Sequence, residues 1–331
     1  MAEIVLGLGS SHSPLLTLDA GLWPERAGDD QRNAALTLSD GRTLSYGALL
    51  AERGPLYAAR SEQGLFAEQA RRSQVALDRL AAALREASPD VLLVIGDDQE
   101  ELYKAGNLPA LAIYYGQDIV MRPLGEILPN PPQWMQAAFS GYGMETDNRF
   151  QGAPEFARGL INRLMDLGVD IGVASSVPDP RVAAFGHAYG FVARRLLQDH
   201  PIPIVPLLLN TYYPPNVIRP RRCFEIGRMI ARSIEQMPDR VRVAVIASGG
   251  LSHFVTDEAL DLRVLHALRD GDECGLTNVR MDALRAGSSE ILCWIMAGGA
   301  FHHLTYNWSD YIPVYRTPAG TGIGLAFGIW T

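Results

Sequence analysis

The sequence has few cysteines and no long apolar run, and each absence excludes a class of protein. Its 331 residues include only Cys223, Cys274 and Cys293, which are widely spaced and form no CxxC pair. A disulfide framework or a zinc ribbon is therefore not expected, and a reducing cytoplasm is the predicted compartment. No stretch approaches the roughly 20 apolar residues of a membrane span, so no membrane association is predicted.

The charge balance and the first residues exclude two further classes. The 37 acidic residues exceed the 29 basic ones, so a nucleic-acid partner is not expected. The start, MAEIVLGLGSSHSP, has neither a basic segment nor a separate apolar segment, and we do not expect it to be a secretory signal. With 47% hydrophobic residues, the chain has enough apolar surface to fold around a sizeable core.

Short apolar runs alternate with helical patterns along the chain. The runs are typical of buried strands and cover residues 4–8, 91–95, 110–115, 170–174, 202–208 and 241–247. Apolar residues at helical spacing cover residues 65–87, 154–167, 183–198, 219–237, 257–269 and 288–297. This alternation predicts an α/β fold, a single domain over residues 1–331 with a mostly parallel central sheet flanked by helices.

Three segments depart from this alternation. Residues 16–61 are polar and irregular, which indicates an insertion after the first strand. Residues 123–152 are rich in proline and predict an ordered loop over a cleft, and residues 304–330 are predicted to add strands at a sheet edge.

The run from Gly7 to His12 begins like a dinucleotide fingerprint, but a histidine stands where the third glycine belongs, so a nicotinamide site is not favoured.

Polar side chains follow several predicted strands where each strand ends. His12 follows the first, GDDQEE at 96–101 follows the second, His253 ends a glycine turn after the last, and Glu290 opens a helix. Carboxyl ends of parallel strands share one sheet edge, so these groups could meet in one cleft and hold Fe(II) or another divalent cation. Alternatively, the histidines are structural, and the carboxylates only cap helices.

These residues lie in short motifs that follow one another along the chain. They are SSHSP at 10–14, FGHAYGFV at 185–192, YYPP at 212–215, RRCF at 221–224, SGGLSH at 248–253 and GSSEILCW at 287–294. In order and spacing the set resembles the class III extradiol ring-cleavage dioxygenases, the family of the catalytic β subunit of protocatechuate 4,5-dioxygenase. Within that family it is most similar to the gallate and 3-O-methylgallate branch.

The resemblance implies a fold, a cofactor and a role for each matched residue. The fold would be that of the family's catalytic β subunit. His12 and Glu290 would be ligands of Fe(II). His253 would act as the acid and base, and His187 would lie at the substrate.

One family ligand is missing from this sequence. The second iron-ligating histidine usually follows the second strand, where this chain reads GDDQ at 96–99. Depending on the alignment, Asp98 or Gln99 takes the ligand position. An added carboxylate would favour Mn or Mg more than usual, a neutral amide would weaken metal binding, and the metal could also be lost.

The implied reaction is dioxygen-dependent meta cleavage of a catechol-type aromatic acid such as gallate or a methoxylated gallate. The alternative is a metal-poor or differently metallated relative that acts as a hydrolase, a lyase or a ligand-binding protein. The predicted partners are a small aromatic substrate and dioxygen, with a homodimer expected and a separate small α subunit left open. For Arg221 and Arg222, a solvated helix start is favoured over a clamp for the substrate carboxylate.

Overall fold

The computed structural model describes residues 1–198 and 200–331. Its strands are β1 Glu3–Ser10, β2 Leu36–Thr37, β3 Thr43–Leu44, β4 Val91–Asp97, β5 Leu111–Tyr114, β6 Asp118–Val120, β7 Arg149–Gln151, β8 Gly172–Ala174, β9 Ile204–Leu209, β10 Arg242–Ser248, β11 His253–Val255, β12 Tyr306–Tyr315 and β13 Thr321–Trp330. Its α-helices are α1 Trp23–Arg32, α2 Tyr46–Arg53, α3 Gln63–Ala87, α4 Leu124–Ile127, α5 Gln133–Gly141, α6 Pro154–Asp166, α7 His187–Phe191, α8 Pro220–Glu235, α9 Glu258–Asp270, α10 Glu273–Thr277 and α11 Ile291–Ala300.

A mixed sheet forms the centre of the molecule. Among the described residues it has nine strands, in the order β11-β13-β1-β10-β4-β9-β5-β8, with β12 paired to β13. The central strands β1, β10, β4 and β9 are parallel, and antiparallel pairs flank them. The predicted α/β fold with a mostly parallel central sheet is therefore confirmed. Parallel strands need helices on both faces, which explains why their sequences are almost continuously apolar.

Each face of the sheet packs against its own set of helices. Along β4, Val91, Leu93 and Ile95 belong to the core that contains α8 and α11, whereas Leu92 and Val94 belong to the core that contains α3. This is the alternation expected of a strand, because successive side chains point to opposite faces. The carboxyl ends of β1, β10 and β4 lie side by side at one edge of the sheet, since the three strands are parallel and paired in this order.

The C-terminal segment differs from its prediction. Residues 304–330 contribute β12 and β13, but β13 is inside the sheet, with β12 along one side and β1 and β11 along the other. All ten residues of β13 are buried, because it is paired on both sides and covered on both faces.

The helix predicted at residues 183–198 begins later than expected. The backbone N–H of Phe185 donates to the carbonyl of Val120 at 3.0 Å, which keeps this stretch extended. The helix then starts at His187 and continues as a π-helical turn over Val192–Leu197.

The two irregular segments contain more regular structure than their sequences indicate. Residues 16–61 carry α1, α2 and the β2–β3 hairpin, and residues 123–152 carry α4, α5 and β7. Helix α1 escapes sequence detection because its sequence, WPERAGDDQR, is polar at all but a few positions, and only Trp23 and Asp30 are buried. No helix in the described ranges is long and apolar enough to cross a membrane.

A buried ion pair fastens α1 to the turn between β12 and β13. The Asp30 carboxylate accepts hydrogen bonds from Arg316 Nε at 2.7 Å and from Thr321 Oγ1 at 2.8 Å. Both charged side chains are only 3% exposed. Because both side chains are buried, water could not solvate either charge if its partner were removed.

Removing one partner of this pair should destabilise the fold strongly. We expect Asp30→Ala to lower the free energy of unfolding by about 3–5 kcal/mol, because it strands the buried Arg316 charge. The double variant Asp30→Ala with Arg316→Met should recover much of that loss, measured by urea denaturation. A single variant as stable as the wild type would contradict this account.

Candidate metal centre and active site

Histidines and carboxylates meet where the central strands end. His12 follows β1, Asp97 ends β4, His253 begins β11 beyond the turn after β10, His187 begins α7, and Glu290 ends the 3-10 turn that leads into α11. Ligand atoms of His12, Asp97, His187 and Glu290 all lie within 4.8 Å of one another. We call these four residues the cluster.

His12 lies at the middle of the cluster. Its Nε2 is 3.1 Å from Glu290 Oε2 and 3.8 Å from Asp97 Oδ1. Its Nδ1 is 3.0 Å from the hydroxyl of Ser248, which itself donates to the carbonyl of Ala188 at 2.7 Å. Since that hydroxyl proton is committed, Ser248 accepts from His12 Nδ1–H, and Nε2 keeps its lone pair for a metal ion.

The Ser248 hydroxyl should therefore set the metal affinity of His12. We expect Ser248→Ala to weaken metal binding roughly 10–100-fold, the range found for outer-shell partners of metal-ligating histidines. The measurement is a metal titration against a competing chelator. Ser233→Ala, another buried serine but on α8, is the matched control, and equal affinities in the two variants would contradict the role of Ser248.

His253 and His187 are oriented in the same way as His12. His253 Nδ1 lies 2.8 Å from the carbonyl of Leu251, and His187 Nδ1 lies 3.0 Å from Glu101 Oε1. Both partners only accept, so Nδ1 carries a proton in each ring, and Nε2 is the other nitrogen through which each ring can act. Burial acts to lower the pKa of His187, but the Glu101 carboxylate outweighs it and raises the pKa to about 10.

The two cluster carboxylates repel each other in a buried place. Burial, reinforced by Glu290, raises the pKa of Asp97. Burial also acts to raise the pKa of Glu290, but His253 and His12 outweigh it and hold the pKa well below its usual range. Asp97 Oδ1 and His12 Nε2 are buried and have no hydrogen-bond partner among the described residues. Such a set of donors fits a divalent cation, which would pair both atoms and relieve the repulsion.

The structure does not bring Asp98 into the cluster. Its carboxylate accepts hydrogen bonds from the backbone N–H groups of Glu101, Leu102 and Tyr103 at 2.8–3.0 Å. Gln99 lies beside the cluster as a donor: its amide nitrogen is 2.8 Å from Asp97 Oδ2. The carboxylate that reaches the cluster from GDDQ is thus Asp97, whereas the sequence pattern predicts Asp98 or Gln99 as the ligand.

Two glycines of the motifs make room for the site. A Cβ on Gly287 would lie 1.9 Å from the ring of His253, and a Cβ on Gly186 would lie 1.7 Å from the carboxylate carbon of Glu101. Any larger residue would displace these side chains. The glycines of FGH at 185–187 and of GSSE at 287–290 are therefore needed to avoid these clashes.

A cavity of about 380 Å³ opens above the cluster. The apolar part of its wall comes mainly from residues 123–152: Leu124, Leu128, Trp134, Met135, Ala138, Phe139, Tyr142 and Met144. Arg26 from α1 and Arg316 line it as well, whereas Arg221 and Arg222 are not among its described lining residues. Residues 123–152, together with Arg26, thus wall a pocket of the size and polarity of a small-molecule site.

The α/β fold thus carries, under an apolar pocket, a cluster of histidines and carboxylates that could hold a metal ion, and comparison with known proteins gives the family. The chain belongs to the family described as the catalytic LigB subunit of aromatic ring-opening dioxygenase, which matches residues 59–326. The matched residues begin after His12. The evidence that His12 belongs to the site is therefore its distances to the other residues of the cluster.

Two characterised relatives are similar to parts of the chain. Gallate dioxygenase of Pseudomonas putida is 34% identical over 86 residues, which is 26% of this chain and 21% of that protein. The 2,3-dihydroxyphenylpropionate/2,3-dihydroxicinnamic acid 1,2-dioxygenase of Comamonas testosteroni is 26% identical over 186 residues, 54% of this chain and 49% of that protein. The chain therefore spans about a fifth and about half of the lengths of these relatives.

Proposed function

We propose that the protein is an Fe(II)-dependent extradiol dioxygenase that opens the ring of a catechol-type aromatic acid such as gallate or a methoxylated gallate. One observation carries the proposal: buried, unpartnered donor atoms of His12 and Asp97 converge with Glu290 beneath a cavity that accommodates one aromatic ring. The names of the family and of both relatives support the ring-opening chemistry.

The metal ligands are His12 Nε2 and the carboxylates of Asp97 and Glu290. One imidazole and two carboxylates suit Fe(II), and the second carboxylate also admits Mn(II). Fe(II), when bound there, supplies the redox chemistry by which a catechol reacts with dioxygen. The backbone N–H of Gly250 donates to Glu290 Oε2 at 2.6 Å, and Gln99 donates to Asp97, so both carboxylates are held in place.

His253 is the proton carrier of the reaction. With Nδ1–H fixed on the Leu251 carbonyl, its Nε2 takes a proton from a ring hydroxyl and later returns it to the opening ring. Its Nε2 is 3.3 Å from Glu290 Oε1, which puts the proton carrier next to a metal ligand.

His187 positions the substrate from the other side. Its ring lies edge-on to that of His12, with centroids 4.6 Å apart, and Glu101 fixes its orientation. Tyr142 shields this side of the cluster, since its hydroxyl donates to the carbonyl of His12 at 2.7 Å and its ring lies against that of His187. The apolar wall of the cavity excludes water from the reacting ring.

The test is oxygen uptake by protein reconstituted anaerobically with Fe(II) and supplied with gallate, 3-O-methylgallate or protocatechuate. Uptake with a ring-opened product from at least one of them supports the proposal. Bound metal without oxygen uptake, or no bound metal, would favour the hydrolase, lyase or ligand-binding alternative. The homodimer and the cytoplasmic compartment stay predictions, the former measurable by size-exclusion chromatography.

A further inference from the structure

Arg26 is a cation at the wall of the active-site cavity that the proposed reaction has not used. It lies on α1, within the inserted segment 16–61, and its side chain is only 17% exposed. Its guanidinium stacks over the ring of Trp134, 4.7 Å from the centroid. An arginine held flat on an aromatic wall keeps its in-plane N–H groups available to a ligand.

The counter-ions around Arg26 are largely engaged elsewhere. Its hydrogen bond within the described residues goes from Nη1 to Asp29 Oδ2 at 3.2 Å, while the other oxygen of Asp29 accepts from Arg32 at 2.6 Å. Asp30, one turn further along α1, is bound to the second cavity arginine, Arg316. Asp29 and Asp30 thus serve three arginines, Arg26, Arg32 and Arg316. Burial above all, and Arg316 next, lower the pKa of Arg26.

Arg26 and three residues of the cluster, His12, His187 and Glu290, line the same cavity. The pKa of Tyr142 is raised, mainly by burial. Glu290 adds to this rise and Arg26 opposes it, so both charges act on the Tyr142 hydroxyl. An aromatic acid has complementary groups: hydroxyls on one side of its ring for the cluster, and a carboxylate on the other side for the cation. The cavity volume of about 380 Å³ is ample for one substituted ring, given that a cavity of about 150 Å³ holds benzene.

We propose that Arg26 binds the carboxylate of the aromatic substrate and so makes the enzyme selective for catechol acids over neutral catechols. This inference rests on the proposed function, because it assumes that the ring hydroxyls bind at the cluster. The inserted helix α1 is then a specificity element, and the bidentate geometry of the arginine–carboxylate pair orients the ring.

Gallate and pyrogallol are matched probes, since pyrogallol is the gallate ring without its carboxylate. For Arg26→Met, which keeps the packing on Trp134, we expect KM for gallate to rise roughly ten- to hundredfold while kcat changes little. KM for pyrogallol should change at most a few-fold. Arg26→Lys should recover part of the gallate affinity, and Arg32→Met, exposed on the same helix, should behave like the wild type.

An equal effect of Arg26→Met on both probes, or no effect on gallate, would overturn the inference. Anaerobic calorimetric titration of each variant with both compounds separates it from the proposed function. If the wild type binds gallate through Arg26 but opens no ring, the anchor stands and the dioxygenase proposal fails. If rings are opened without preference for the acid, the dioxygenase proposal stands and the anchor fails; absence of gallate binding also overturns the anchor.

Discussion

Asp97→Asn is expected to remove the metal from the site, whereas the same change at its neighbour, Asp98→Asn, leaves the metal bound. Asp97 Oδ1 is buried, has no hydrogen-bond partner in the part of the chain that the structure describes and lies 3.8 Å from His12 Nε2. A bound cation would supply the partner that this oxygen lacks. Loss of a direct ligand should weaken binding at least as much as the 10–100-fold found for outer-shell partners. Asp98 is instead the acceptor of three backbone N–H groups.

Metal content after anaerobic reconstitution, with dissociation constants from a chelator competition, measures this difference. Asp98→Asn should lower the free energy of unfolding by about 1–3 kcal/mol through weakened loop hydrogen bonds, with metal stoichiometry unchanged. Loss of the metal in Asp98→Asn and its retention in Asp97→Asn would contradict this assignment, because the ligand would then be Asp98, which lies outside the cluster.

His253→Ala should abolish most of the turnover without releasing the metal. Positioned acids and bases contribute typically 10²–10⁴-fold to rate, and His253 Nε2 is the nitrogen left for proton transfer once Nδ1–H is held by Leu251. His253 contacts Glu290 without belonging to the cluster, so metal binding should change by a few-fold at most.

Steady-state oxygen uptake and metal analysis on the same preparation test this prediction. His266→Ala, at an exposed position of α9, is the matched histidine control and should retain full activity. Turnover by His253→Ala at a wild-type rate would remove the residue from the mechanism. Loss of the metal together with activity would show instead that His253 supports the ligands.

The strands and most of the site could be predicted because they follow from local patterns. Apolar runs that end in Ser, Asp or Gly indicate buried parallel strands, and polar side chains at their carboxyl ends converge by topology. His12, His187, His253 and Glu290 accordingly lie together in the structure. The roles assigned to them remain predictions for the variants described above.

The choice between Asp97 and its neighbours required the structure. Asp97 lies on the same face of β4 as Leu93 and Ile95. That face packs against α11, the helix that follows Glu290. Strand alternation was visible in the sequence, but it does not tell which face receives that helix. Arg26 was hidden for a related reason, since α1 is polar and its position over the cavity depends on the distant pair Asp30–Arg316.

The most direct test of the central claim is the stoichiometry and the site of ring cleavage. Protein reconstituted with Fe(II) should consume one dioxygen per ring, and the product should gain the mass of one dioxygen molecule. Nuclear magnetic resonance should show the bond broken beside the pair of hydroxyl-bearing carbons that the metal binds. A product without dioxygen incorporated, or a bond broken between those two carbons, would contradict extradiol cleavage at this site.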